Sequence, residues 1–206
     1  MACVVSIQEG VHGLVKAGIE GDSLFLFRQV YFDSALALLH SPMQLEIGAE
    51  ADIDVLVMAA EALVAEHAAL QLLERAEQSR FGLSHKLAKR KIDRRAIAAS
   101  LDFLENSGLL SDTRFASSWI RQRVRRHAEG PGTLRQALLS RGIPSHAIAA
   151  ALEETLSGSA RCTVLETART VLSAKYTEAR DLRYALKGLG YGSAEIDECI
   201  SSGDDT

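Results

Sequence analysis

From Asp52 onward the apolar residues return every three or four positions, the step that places them on one face of a helix. Ile53, Leu56, Val57, Ala60, Leu63, Val64, His67, Leu70 and Leu73 keep this beat and predict a long helix over 53–78, with a break near His67 to bring it toward ordinary length. Glu46, Glu50, Asp52 and Asp54 crowd its start, where the helix dipole favours negative charge. Residues 1–50 follow a different pattern. Val4, Val5 and Ile7 form a short β-favouring run, and Leu14–Ile19 and Ser23–Val30 flank the turn composition Glu20-Gly21-Asp22. They predict a small β element, followed by a short helix over Asp33–His40 that Ser41-Pro42 stops.

The helical pattern repeats. Leu83, Leu87, Ile92, Ile97 and Leu101 stand 51 residues before Leu134, Leu138, Ile143, Ile148 and Leu152. That second set stands 48 residues before Leu182, Leu186, Tyr191, Ile196 and Ile200. Each copy carries a short helix, then Gly or Lys ahead of an aliphatic or aromatic residue, then a cap (Asp93, Ser145 after Pro144, Ser193) and another helix. A longer helix precedes each pair, over 53–78, 113–127 and about 159–174. The connectors Asn106-Ser107-Gly108 and Ser157-Gly158-Ser159 are short. A period near 50 points to an array of repeats with an extended surface. The fold class is therefore mainly α: elongated tandem three-helix repeats behind a β-containing start. The divisions are 1–50, then repeats at 51–109, 110–157 and 158–206, with a frayed tail SSGDDT.

The stretch from Asp112 to Ile143 is the most informative. Asp112 is a good N-cap, and Phe115, Ala116, Trp119, Ile120 and Val124 make one apolar face. Arg114, Arg121 and Arg125, at spacings of seven and four, line another, with Arg123 and Arg126 beside it. Gly130-Pro131-Gly132 breaks the helix, and Leu134, Leu138 and Leu139 begin the next, with Gly142 as its C-cap candidate. Phe115 and Trp119 share their spacing with Ala116 and Ile120, which assigns them to the core rather than to base stacking. Arg123 borders the apolar face and is expected to pair internally with Asp112 or Asp102.

Charge changes the picture. The net formal charge is −4, but residues 1–79 hold 3 Lys/Arg against 12 Asp/Glu, residues 80–141 hold 14 against 5, and residues 142–206 hold 6 against 10. A basic middle between acidic ends suggests a surface that meets an anion. The candidate binding residues are Lys86, Lys89, Arg90 and Arg94 from the first unit and Arg114, Arg121, Arg125, Arg126 and Arg135 from the second. Arg dominates the second group, which suits bidentate contact with carboxylate or phosphate.

The remaining chemistry is mostly negative. No phosphate loop, dinucleotide fingerprint, zinc-protease or nucleophile-elbow motif occurs, so no catalytic residues are expected. The six histidines lack metal-ligand spacing, and Glu153-Glu154 and Asp204-Asp205 read as solvated charge rather than acid/base pairs. Cys3, Cys162 and Cys199 are too few and too scattered for a disulfide framework and fit reduced thiols in the cytoplasm. The start MACVVSIQEG lacks a signal-peptide pattern, and no run approaches the roughly 20 apolar residues of a membrane span.

Two stretches carry a resemblance. One runs from Ala69-Leu70-Gln71-Leu72-Leu73-Glu74-Arg75 through Gln78-Ser79-Arg80 to Lys86-Leu87. The other is Gly108-Leu109-Leu110-Ser111-Asp112-Thr113-Arg114-Phe115-Ala116, then Arg123, Gly130-Pro131-Gly132, Leu138 and Arg141-Gly142-Ile143. In order and spacing they resemble the RecX family of bacterial recombination regulators, over about residues 68–200. The chain departs from the family where Ser111-Asp112 replaces two acids and where Lys91 replaces Gly. The resemblance implies tandem three-helix repeats and no catalysis. It also implies binding along the groove of the RecA–DNA filament, with modulation, most often inhibition, of RecA ATPase and recombination in DNA repair and the SOS response. The expected state is a cytoplasmic monomer without cofactor or membrane partner. Direct contact with single- or double-stranded DNA is a further expectation, and a general DNA-binding module acting without RecA is the alternative reading.

Overall fold

The computed structural model describes residues 3–127 and 129–201. The tail Ser202–Thr206, with the pair Asp204-Asp205, lies outside them. The chain divides into two compact units, Met1–Leu110 and Ser111–Thr206.

The first unit opens with three antiparallel strands, β1 (Val4–Glu9), β2 (Leu14–Ile19) and β3 (Ser23–Arg28), in the order β1-β2-β3. Val15 pairs with Phe27 and Ala17 with Phe25 across β2 and β3, and Ile7 pairs with Ala17 across β1 and β2. Alternation buries Val15, Ala17, Ile19 and Phe27 on one face and leaves Leu24 and Leu26 on the other. The chain departs from the expected boundaries at two points. The strand expected to reach Val30 stops at Arg28, and the helix expected from Asp33 starts at once as α1 (Gln29–Leu39). Tyr31, Phe32 and Ala35 share one apolar side at one-, three- and four-residue steps, so the core captures the chain four residues early.

Helix α2 (Ile53–Leu73) runs unbroken past His67, contrary to expectation, and ends at Leu73 rather than 78. Its continuity follows from being hemmed in: 10 of its 21 residues are buried, packed against β3, α1 and α4 (Arg94–Asn106). Ala59, Ala62, Ala65, Ala68 and Ala69 are among them, and side chains this small let neighbours approach closely. Asp52 caps α2 by accepting from the backbone N–H of Asp54 and Val55. The sheet, α1 and the first half of α2 form one core; the second half of α2, α3 (Arg80–Ala88) and α4 form a second, which contains Leu83, Leu87, Ile97 and Leu101.

The second unit holds α5 (Asp112–Val124), α6 (Pro131–Leu139) and α7 (Ser145–Thr155) around Leu134, Leu138, Ile143 and Ile148. It then holds α8 (Gly158–Ser173), α9 (Ala179–Gly188) and α10 (Ser193–Ser201) around Leu186, Tyr191 and Ile196. The cap of α5 is Ser111, whose hydroxyl accepts from the Arg114 N–H at 3.2 Å; Asp112, expected in that role, is the first helical residue. At α7 the N-cap position is held by Pro144, with no side-chain hydrogen bond, and Ser145, expected as the cap, is inside the helix.

The 51- and 48-residue registers are structural as well as textual. Leu87, Leu138 and Leu186 are each the eighth residue of α3, α6 and α9, and each is fully buried. Four positions later in each copy, Lys91, Gly142 and Gly190 turn the chain in the left-handed region, at φ 63°, 73° and 87°.

Candidate functional site

All nine candidate cations are exposed. Four belong to the first unit. Lys86 lies on α3, where its ammonium donates to the Gln78 Oε1 at 2.6 Å. Lys89 and Arg90 follow α3, and Arg94 opens α4. Five belong to the second unit: Arg114 and Arg121 on α5, Arg125 and Arg126 just past it, and Arg135 on α6. Arg125 keeps helical angles, so it continues the face of Arg121 one turn on.

Ion pairing sorts these cations. Arg121 donates to the Glu154 carboxylate of α7, which also accepts from Ser117 Oγ at 2.8 Å. The Ser117 hydroxyl, and then Arg121, hold the Glu154 carboxyl below its usual range. Glu154, expected to be merely solvated, therefore occupies one of the site arginines. Among the described residues, Lys89, Arg90, Arg94, Arg125, Arg126 and Arg135 carry no ion pair.

Arg123 does pair internally, but with neither expected acid. Its guanidinium grips Glu129 through Nε at 2.8 Å and Nη2 at 2.7 Å, closing the loop beyond α5. That donation holds Glu129 below the ordinary carboxylate range. Arg141 lies over the Trp119 ring at 4.8 Å, and Phe115 and Trp119 are half-buried against the α5–α7 core, as core spacing predicts.

Acids on the last helix of each helical trio hold arginines of the same trio. Asp102 and Glu105 of α4 take Arg80 at 2.7 and 2.5 Å. Asp197 and Glu198 of α10 take Arg183 and Arg161 at 2.6 and 2.9 Å. The most buried ionic group lies elsewhere. Glu66 of α2 receives Arg28 Nε at 2.7 Å and Nη2 at 2.6 Å, and Tyr31 Oη at 2.7 Å. Burial raises the Glu66 pKa, but the three donations outweigh it and leave the carboxyl below its ordinary value. This cluster ties the sheet and α1 to α2 and reads as structural. Among the described residues no group of His, Cys, Asp and Glu is placed to hold a metal, and no helix is long and apolar enough to cross a membrane.

Helical trios with exposed arginine and lysine clusters define the class: a helical-repeat protein. A family model described as the second three-helix domain of RecX matches residues 111–152, the span of α5, α6 and most of α7. The chain is 40% identical over 87 residues to "Regulatory protein RecX" of Halorhodospira halophila, covering 42% of this chain and 53% of that protein. It is 39% identical over 101 residues to the protein of the same name from Leptothrix cholodnii, covering 49% and 60%. The matched stretch thus spans little more than half the length of these curated relatives. The fold is similar to a crystal structure of regulatory protein RecX, with a TM-score of 0.66 at 20% identity over 98% of this chain and 100% of that one. It is also similar to RecX from Lactobacillus salivarius, with a TM-score of 0.62 at 21% identity over 70% and 97%. The likeness in sequence is thus to RecX proteins over part of the chain, centred on residues 111–152.

Proposed function

We propose that the protein is a non-enzymatic regulator that docks on the RecA–DNA filament and lowers RecA ATPase and recombination activity. In this reading residues 51–109, 110–157 and 158–206 act as three copies of one unit, with 1–50 as an addition packed on the first. The unpaired cations Lys89, Arg90, Arg94, Arg125, Arg126 and Arg135 make the docking contacts, with Lys86, Arg114 and Arg121 beside them. The observation that carries the reading is the exposed, uncompensated charge around the end of α5, within a stretch of RecX-type sequence. Fixed cations of this kind steer a large anionic partner and set its register. The cytoplasm is the matching compartment. The test is RecA-dependent ATP hydrolysis on single-stranded DNA, titrated with this protein. Turnover falls as the protein is added; turnover that stays constant to saturating protein overturns the reading.

A further inference from the structure

A cavity of about 380 Å³ opens between the end of α5 and the flank of α8, within the second unit. Val124, Leu172 and Leu189 give it aliphatic walls, and Val171, also in its lining, is 62% exposed. Arg125 and Arg126 line the same cavity. Its only acid among the described residues is Glu129, which Arg123 already holds bidentate. Two uncompensated guanidinium groups therefore stand beside an aliphatic surface that water wets poorly.

We propose that this pocket seats one apolar side chain of an acidic peptide segment, with the flanking carboxylates received by Arg125 and Arg126. The inference rests on the filament-docking reading and assigns this part of the surface to protein rather than to nucleic acid. Unstacked bases are held by aromatic faces, and among the described lining residues the His127 imidazole is the only such ring, with no Phe, Tyr or Trp. Aliphatic walls instead suit a Leu, Ile, Val or Phe anchor, the kind of residue that concentrates binding energy in a desolvated pocket. The arginine forks match carboxylates on either side of that anchor in both charge and geometry. An apolar ligand without acids leaves both guanidiniums desolvated and unpaired, which selects against it.

The test compares full-length variants on preformed RecA–single-stranded DNA filaments, read by anisotropy of a fluorescent label on this protein. Val171→Asn places a neutral polar group in the lining and leaves every cation unchanged. Because Val171 is exposed, the variant folds, and its melting temperature checks this. Its affinity falls about tenfold, the effect of spoiling a single apolar contact in a pocket, and Val171→Leu keeps native affinity. If Arg125→Glu/Arg126→Glu weakens binding while Val171→Asn binds normally, the peptide pocket is wrong and the cationic surface stands. If neither variant weakens binding, both fail. A photo-crosslinking residue at Thr167, which also lines the cavity, gives a second readout. A cross-link to a RecA peptide carrying acids around an apolar residue supports the assignment. A cross-link to the oligonucleotide, or none to protein, overturns it.

Discussion

Arg121 and Glu154 pair across α5 and α7, and the same carboxylate holds Ser117. A side chain that looks like a docking residue is therefore partly occupied within its own unit. Replacing Glu154 with Gln removes the charge partner and keeps a group able to accept from Ser117. Filament affinity of Glu154→Gln is expected to rise up to about fivefold, the range of a single exposed charge contact, with unchanged melting temperature. Titration by anisotropy checks this; a fall in affinity shows that the pair orients Arg121 productively.

The Arg28–Glu66–Tyr31 cluster predicts acid sensitivity with a defined sign. The Glu66 carboxyl is depressed in the folded state, so its stabilisation is complete above the unfolded carboxylate pKa and is lost as pH falls through the lower folded value. Glu66→Ala leaves the Arg28 charge and the Tyr31 hydroxyl without their acceptor and is expected to cost about 3–5 kcal/mol. Glu66→Gln keeps the shape and removes the titration. Urea unfolding from pH 6 downward is expected to show a shallower loss of stability for Glu66→Gln than for the native chain.

Lys91 adopts φ 63° where the later copies place Gly142 and Gly190. A side chain in the left-handed region is strained, and glycine relieves it. Lys91→Gly is expected to stabilise the first unit by roughly 1 kcal/mol, and Gly142→Ala to destabilise the second by a similar amount. Denaturant midpoints with constant slope measure both. Equal and same-signed effects contradict the register between copies.

Gly190 is a tighter case. The Gly130 N–H donates to the Leu189 carbonyl at 2.8 Å, and the Gly132 N–H to that of Gly190 at 2.9 Å. A Cβ on Gly190 meets the Thr133 backbone nitrogen at 2.3 Å, at φ 87°. The break that Gly130-Pro131-Gly132 makes in the sequence is thus also a main-chain clasp between α6 and the turn after α9. Gly190→Ala is expected to cost about 2 kcal/mol or more and to speed amide exchange at Gly130 and Gly132, which hydrogen exchange reads directly.

Much of the fold is legible in the sequence. The three-strand start, the helical trios and the register of Leu87, Leu138 and Leu186 all follow from local apolar spacing, because burying one face is what each element does. What sequence missed depends on tertiary approach. Ser111 outranks Asp112 as a cap because Ser111 is the residue that leaves helical angles, and both types can cap. Tyr31 and Glu66 meet 35 residues apart, and Arg121 and Glu154 meet 33 apart. No periodicity encodes such pairs, so which arginines are already neutralised within the fold was not readable. The pocket lined by Arg125 and Arg126 was hidden for the same reason: α8 supplies Thr167, Ala168, Val171 and Leu172 to it from more than 40 positions further on.

The most direct measurement is binding of Arg125→Glu/Arg126→Glu, beside the native protein, to preformed RecA filaments and to the same oligonucleotide without RecA, over a salt series. The native protein is expected to bind filaments tightly and bare DNA weakly. The double variant is expected to lose filament binding by at least about tenfold while keeping its melting temperature, as buried charge contacts at an interface do. Undiminished filament binding by the folded variant, or equally tight binding to bare DNA with a steep salt dependence, contradicts the account.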